Sequence, residues 1–382
     1  MTQANMRILH VITTLDVGGA EMHILSQVRG QTARGHAVRV AYLKGHGTLE
    51  ADFRAAGAEW VGCVSSGAAL PARLWKHLRW AEIVHSHLLK ADMATAPLAC
   101  LAGRRRGLVS GKHNDEQVLK KPLVSLVHGA IGRLPRRTIA LSDHVARFIE
   151  EHGRVPRARI ERVYYGIDDA AFERAAADGR ARRAELRAAL GFGPDDVVFT
   201  CVARFAPQKA HDVLLRAFAA ARAGGDPVAP RLRLLLVGDD PFGDGRVRME
   251  ALARELSLGG ACVFAGIRRD VAALLGASDV FAMASLWEGL GLVFLEAMAA
   301  GMPVLSTRVS AIPEVVVDGA TGRLVPAGEV EPLAAAMLEL ARDPALRARM
   351  GAAGRARVRE RFGLARMHEE TLALYARLLE RS

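Results

Sequence analysis

The chain has 382 residues, 51% of them apolar, with 52 Lys and Arg against 41 Asp and Glu. That length exceeds one comfortable hydrophobic core and predicts two domains. Four widely spaced cysteines, Cys63, Cys100, Cys201 and Cys262, show no metal-ligand spacing, which argues against a disulfide framework and for buried thiols in a reducing compartment.

The first residues lack a basic segment followed by an apolar one, and no apolar run approaches the ~18 residues of a spanning helix. A cytoplasmic protein is therefore expected. The net charge of +11 is lopsided: residues 1–168 hold 24 basic against 14 acidic residues, the remainder 28 against 27. A basic half predicts an anionic surface or acceptor. With only 5% aromatic residues there is no interleaved stacking set for nucleic acid. Anionic membrane headgroups are the better match, at the inner face of the cell membrane.

Arg7 to Ile12 reads as a buried strand, and Gly18-Gly19-Ala20-Glu21 opens a helix reaching about Ala33. Ala37 to Leu43 is the next strand, so the chain begins as a βαβ unit with a parallel sheet. The apolar runs at Ile83–His85, Leu108–Val109 and Thr138–Leu141 continue it. Tyr165-Gly166-Ile167-Asp168 reads as a turn, followed by a charged helical stretch from Arg180 to Leu190. A second series starts at Val197–Val202 and continues at Leu232–Val237, Cys262–Ala265, Val280–Ala284 and Val304–Thr307. Leu364 to Leu379 is a closing helix. The expectation is an α/β protein of two facing Rossmann-like domains with a cleft between them.

Candidate chemistry gathers where strands end and helices begin. Gly18 and Gly19 sit in the first strand-to-helix turn; they either form a tight turn or let a ligand approach, and the pattern is not GxGxxG. Arg204 and Lys209, five residues apart after Val202, can clamp a diphosphate or remain solvated surface charges. Glu288 and Glu296 flank Gly289 and Gly291, so Glu288 belongs to a loop and Glu296 to the early helix. A carboxylate pair admits glycoside hydrolysis, but the neighbouring features favour phosphate, and the pair then receives sugar and ribose hydroxyls. The helix start at Gly291 and Leu292 offers free N–H groups to an anion.

His85-Ser86-His87 alternates as a metal pair would, yet with no acidic or thiol partner nearby it reads as strand-end histidines, and no metal site is expected. His113 follows a short strand and is placed to face the cleft. The segment from Lys120 to Arg137, apolar between cations, reads equally as an interfacial helix and as a core helix with solvated ends.

Together these motifs resemble the retaining glycosyltransferases of family 4, with their GT-B fold. The resemblance rests on Glu288-x7-Glu296 with Gly301-Met302-Pro303-Val304 behind it, and on Ile312-Pro313-Glu314-Val315-Val316. Asp318 to Val325, Leu235-Leu236-Val237-Gly238, Gly18-Gly19-Ala20-Glu21 and the Arg204/Lys209 loop complete it. One departure stands out: Ser310-Ala311 replaces the usual Gly-Gly before the Pro-Glu segment, so donor choice does not follow by analogy.

The resemblance implies an acceptor domain over residues 1–168 and a nucleotide-sugar domain over 169–364, with residues from about 365 to 382 packing back on the first. It implies that Arg204 and Lys209 hold the donor diphosphate, a task other transferases give to a metal, so no cofactor is expected beyond the nucleotide-sugar. Glu288 would meet the donor sugar, Glu296 the ribose, and the backbone around Ile267 the base. Gly18 and Gly19 would lie near the diphosphate, and His113 near the sugar. The expected reaction moves a sugar from a UDP- or GDP-sugar to a hydroxyl of a saccharide or lipid-linked acceptor. Lipopolysaccharide, capsule or exopolysaccharide synthesis is the expected setting. The alternatives are a GT-B sugar-nucleotide epimerase, which needs no acceptor, and a non-catalytic GT-B binding subunit.

Overall fold

In the computed structural model, which describes residues 5–65, 67–240 and 243–380, the strands form two wholly parallel sheets. The first contains β1 (Arg7–Ile12), β2 (Ala37–Tyr42), β3 (Trp60–Cys63), β4 (Ile83–His87), β5 (Leu108–Lys112), β6 (Arg137–Ala140) and β7 (Ile160–Arg162). Its spatial order is β3-β2-β1-β4-β5-β6-β7. The second contains β8 (Val197–Val202), β9 (Leu232–Val237), β10 (Cys262–Gly266), β11 (Val280–Met283), β12 (Val304–Thr307) and β13 (Gly322–Val325), in the order β10-β9-β8-β11-β12-β13. Both are Rossmann-like: the strand order reverses once, at β1/β4 and at β8/β11, and ligands bind beyond the carboxyl ends of strands at such points.

The strands form where they do because helices cover both faces of a parallel sheet, so central strands can be apolar along their whole length. Ile8, Leu9, Val11 and Ile12 of β1 are fully buried, as are Leu234, Leu235 and Leu236 of β9.

The chain divides into two compact units, Met1–Gly166 with Leu364–Ser382, and Ile167–Gly363. The closing helix, Leu364–Glu380, contributes Met367, Leu372, Leu374, Tyr375 and Leu378 to the core of the first unit. Its Thr371 hydroxyl accepts a hydrogen bond from Gln27 of the helix Gly19–Thr32.

Two expectations need correction. The stretch after Asp168 is not a turn leading to one helix from Arg180; it holds two helices, Asp169–Ala181 and Arg183–Ala189. Asp168 caps the first, its carboxylate accepting from Ala171 N at 2.9 Å. The segment from Lys120 to Arg137 is not one helix either. Pro122 opens a helix that ends at Ile131, and Leu134-Pro135 leads into β6. Its Leu123, Leu126 and Val127 are exposed, at 74%, 58% and 41%. No helix among the described residues is long and apolar enough to cross a membrane.

Candidate functional site

The reversal point of the second sheet brings together the loop after β8 and the loop after β11. After Val202 the chain runs to a single turn, Pro207–Lys209, and then to Ala210, whose φ of +44° is left-handed for a residue with a Cβ. The helix His211–Ala223 follows. After Met283, residues 284–291 form a loop opening into the helix Leu292–Ala299. The two loops are tied by main-chain and side-chain bonds: Leu286 N donates to Gln208 O at 2.8 Å, and Gln208 Nε2 to Trp287 O at 2.7 Å.

These ties bring Lys209 onto Glu288. Its ammonium donates to Glu288 Oε1, which also accepts from Ser285 Oγ at 2.8 Å. Ser285 is held in turn by Thr307, whose hydroxyl donates to the Ser285 carbonyl at 2.5 Å. Glu288 is 4% exposed, so its charge is tolerable only because it is paired and hydrogen-bonded. Lys209 keeps two further N–H donors, and Glu288 keeps Oε2. Arg204 is different: it is exposed, and its guanidinium has no hydrogen-bond or ion-pair partner among the described residues. The two cations are therefore not equivalent halves of one clamp.

Glu296 lies in the second turn of its helix and has no partner among the described residues, although it is largely shielded from water. Burial pushes its carboxyl up to about 7. Gly291, the residue before this helix, has φ +81°, and a Cβ there would lie 2.5 Å from the Phe294 ring. Only glycine lets the chain enter this helix so close to the reversal point. On the other side of β8, Gly238 N donates to Gly266 O and Phe205 N to Asp239 O. These bonds join the loops after β8, β9 and β10, and Ile267, 72% exposed, follows on the same edge.

Cys201 and His211 form a neighbouring pair, Sγ to Nε2 at 4.0 Å. Burial pushes the thiol up to about 12 and the imidazole down to about 4, so this is no activated nucleophile.

In the first unit, Gly18 has φ −166°, so a positive φ is not what makes it glycine. The Glu21 carboxylate folds back over it, and a Cβ would lie 2.5 Å from Glu21 Oε2. Gly19 is exposed, and a Cβ there would meet nothing within 4 Å.

A cluster that sequence reading missed lies on β1 and β4. Register pairs His10 with His85, and His87 lies two residues on. Ring nitrogens of the three lie within 4.8 Å of one another, near enough that the group could hold a metal ion, because His10 supplies the partner that His85-Ser86-His87 lacked in sequence. They belong to a longer chain of contacts. Tyr165 Oη meets His113 Nδ1 at 2.5 Å, His113 Nε2 meets His87 Nδ1 at 2.9 Å, His87 Nε2 meets His10 Nδ1 at 2.9 Å, and His10 Nε2 meets Gln31 Oε1 at 2.9 Å.

Burial pushes His10 down to about 4, His113 to about 3 and His87 well below its ordinary value. Each neutral ring carries one donor and one acceptor. The chain is therefore satisfied when every donor points from Tyr165 toward Gln31. Both ring nitrogens of His113 are engaged in this chain, toward Tyr165 and His87.

A second missed constellation is the buried pair Lys112–Asp92, whose side chains are 2% and 4% exposed. Asp92 also accepts from Ser86 Oγ and, at 2.7 Å, from Ser110 Oγ, while Lys112 Nζ lies 3.1 Å from His128 Nε2.

Comparison with known proteins follows these two units. Residues 182–357 match the model "Glycosyl transferases group 1", and residues 17–171 match "Glycosyltransferase Family 4". The chain is 34% identical over 275 residues to a GDP-mannose-dependent alpha-(1-6)-phosphatidylinositol monomannoside mannosyltransferase of Mycolicibacterium smegmatis, covering 68% of this chain and 67% of that one. It is 30% identical over 327 residues to a D-inositol 3-phosphate glycosyltransferase of Kribbella flavida, covering 82% and 75%. Among solved structures, Anabaena HepE in complex with UDP superposes with a TM-score of 0.85 at 22% identity, over 97% of this chain and all of that one. WaaG, a glycosyltransferase involved in lipopolysaccharide biosynthesis, gives 0.71 at 18% identity, over 96% and 99%.

Proposed function

The chain belongs to glycosyltransferase family 4, the group 1 glycosyl transferases, and has their GT-B fold of two Rossmann-like units. It is a glycosyltransferase that uses a nucleotide-sugar. From that premise we propose that residues of the second unit bind a GDP- or UDP-hexose and that the transfer retains anomeric configuration. The acceptor is a hydroxyl on a lipid-linked or phosphorylated envelope precursor. One observation carries the site assignment: at the sheet reversal point an exposed, unpartnered Arg204 accompanies the Lys209–Glu288 pair, with an unpartnered Glu296 on the adjoining helix.

Each group then has a task its surroundings allow. Arg204 and the free donors of Lys209 neutralise the diphosphate as the bond between the anomeric carbon and the phosphate oxygen breaks. The first N–H groups of the helix Leu292–Ala299, next to Gly291 and Leu292, add to this. Glu288 Oε2 accepts hydroxyls of the donor sugar. Glu296 accepts the ribose hydroxyls, and the backbone at Ile267 meets the base. The acceptor oxygen attacks on the face the diphosphate leaves, and the departing phosphate oxygen takes its proton, so no protein nucleophile is required. In the first unit Glu21 covers Gly18, while exposed Gly19, with nothing within 4 Å of where a Cβ would stand, leaves an open helix start for an acceptor to approach.

GDP-mannose and UDP-glucose lead the donor list, because a relative is named for the former and HepE was solved with the latter. The relatives named for phosphatidylinositol mannoside and inositol phosphate support a phosphorylated acceptor, and the likeness to WaaG supports a lipopolysaccharide setting. Peripheral membrane docking is supported by the basic first unit and by exposed Leu123, Leu126 and Val127 between cations. The epimerase and non-catalytic readings are not favoured, since these relatives are transferases.

The test is nucleotide release from a panel of GDP- and UDP-sugars with lipid-extract acceptors. Arg204→Ala and Glu296→Ala are each expected to lower kcat/KM at least 100-fold. Unchanged turnover in both would overturn the site assignment.

A further inference from the structure

The amino-terminal edge of the first sheet, opposite the edge where such sheets bind ligands, carries a basic cavity of about 430 Å³. The 3-10 turn before β5 supplies Arg105 and Arg106. The start of β6 supplies Arg136 and Arg137, the approach to β7 supplies Arg159, and the closing helix supplies Arg377. Among the described residues, Glu161 is the one carboxylate in the cavity lining. It accepts from Arg137 Nε at 3.0 Å and from Arg377 Nη2 at 2.5 Å. Arg106 is spent on the last carbonyls of the closing helix, donating to Leu378 O at 3.0 Å and to Leu379 O, and Arg159 donates to Arg133 O. The guanidinium groups of Arg105 and Arg136 have no hydrogen-bond or ion-pair partner among the described residues. Leu134, Leu374 and Leu378 give the cavity an apolar wall.

Six guanidinium groups around one carboxylate repel one another, and an anion that enters relieves the repulsion. The planar donor forks of Arg105 and Arg136 suit phosphate oxygens, and the volume falls in the range of small-molecule sites, roughly 300–1,000 Å³. We propose that this cavity is a binding site for a phosphate-bearing anion, separate from the donor site. The ligand is either a free phosphorylated small molecule or the headgroup of an anionic lipid. Because the cavity joins the closing helix to the turns before β5, β6 and β7, an occupant clamps that helix onto the first unit. The proposal does not depend on how the second unit binds its donor.

Calorimetric titration of the full chain with pyrophosphate at low ionic strength tests it, using Arg204→Ala so that the donor site contributes little. Saturable binding is expected, and adding Arg105→Glu/Arg136→Glu weakens it at least tenfold while the melting temperature without ligand does not fall, since the charge reversal relieves repulsion among the remaining arginines. A second arm measures co-sedimentation with phosphatidylglycerol vesicles against phosphatidylcholine vesicles. Leu123→Asp separates this site from the exposed helix: it keeps pyrophosphate affinity. Charge-reversal sensitivity toward pyrophosphate identifies a free ligand, and sensitivity toward phosphatidylglycerol alone identifies a headgroup. If neither probe loses as much as threefold on charge reversal, there is no such site.

Discussion

Replacing Glu296 by glutamine isolates what an unpartnered, shielded carboxylate costs and what it does. An unfolded glutamate titrates near its ordinary 4.5, whereas burial raises it to about 7 in the fold. Between those values the folded chain holds the extra proton, so stability falls as pH rises from 4.5 through 7 and levels off above. The shift corresponds to about 3 kcal/mol at full ionisation, taking about 1.4 kcal/mol per unit. Glutamine keeps the shape and cannot ionise.

Glu296→Gln is therefore expected to be more stable than the parent by about 3 kcal/mol at pH 8 and by no more than about 1 kcal/mol at pH 5. Urea unfolding of the full chain, followed by circular dichroism at both pH values, measures the difference. The same variant should bind the nucleotide-sugar about tenfold more weakly at pH 8, because it trades a charge-assisted acceptor for a neutral one. In the parent, donor binding should release protons near pH 7, since ribose hydroxyls favour the ionised form. A stability gain equal at the two pH values would refute the reasoning.

Three further outcomes follow from the structure. Lys209→Ala strands the buried Glu288 charge and should cost about 3–5 kcal/mol in stability; Lys209→Met/Glu288→Gln should recover most of that by chemical denaturation while transfer stays abolished. Asp92→Ala leaves Lys112 buried without its counter-ion, with a similar expected loss of about 3–5 kcal/mol, and nucleotide affinity measured below the melting temperature should not change. Ser310 holds a left-handed φ of +47°, so Ser310→Gly should relieve about 1 kcal/mol of backbone strain, read as a higher melting temperature.

The Ser310 result bears on what could be read in advance. The sequence departs there from a Gly-Gly pattern, yet only the backbone shows that the substituted residue occupies a conformation glycine would enter without cost. The strands left out of the sequence reading, β3, β7 and β13, are all sheet edges. Edge strands are short and need no long apolar run, so Trp60–Cys63 or Ile160–Arg162 gives little signal. The helix Asp169–Ala181 escaped for another reason. It packs through small residues: a Cβ at Gly179 would lie 2.0 Å from Ala273 O, and one at Gly276 would lie 2.0 Å from Ala176 O. Backbones that approach so closely leave no leucine stripe to read.

What the sequence determined by itself is the parallel α/β architecture and the pairing of a cationic loop with the Glu288–Glu296 segment. Apolar periodicity and the residues at strand ends are local properties, and they survive in any arrangement of the chain. What only the tertiary structure decided is which of those groups are occupied. Lys209 is committed to Glu288 while Arg204 is free, Glu296 is shielded without a partner, and His113 has both nitrogens engaged in a chain reaching back to His10. Such assignments depend on sheet register and strand order, which bring together residues 26 to 79 positions apart. Charge and protonation in a protein are set by those neighbours.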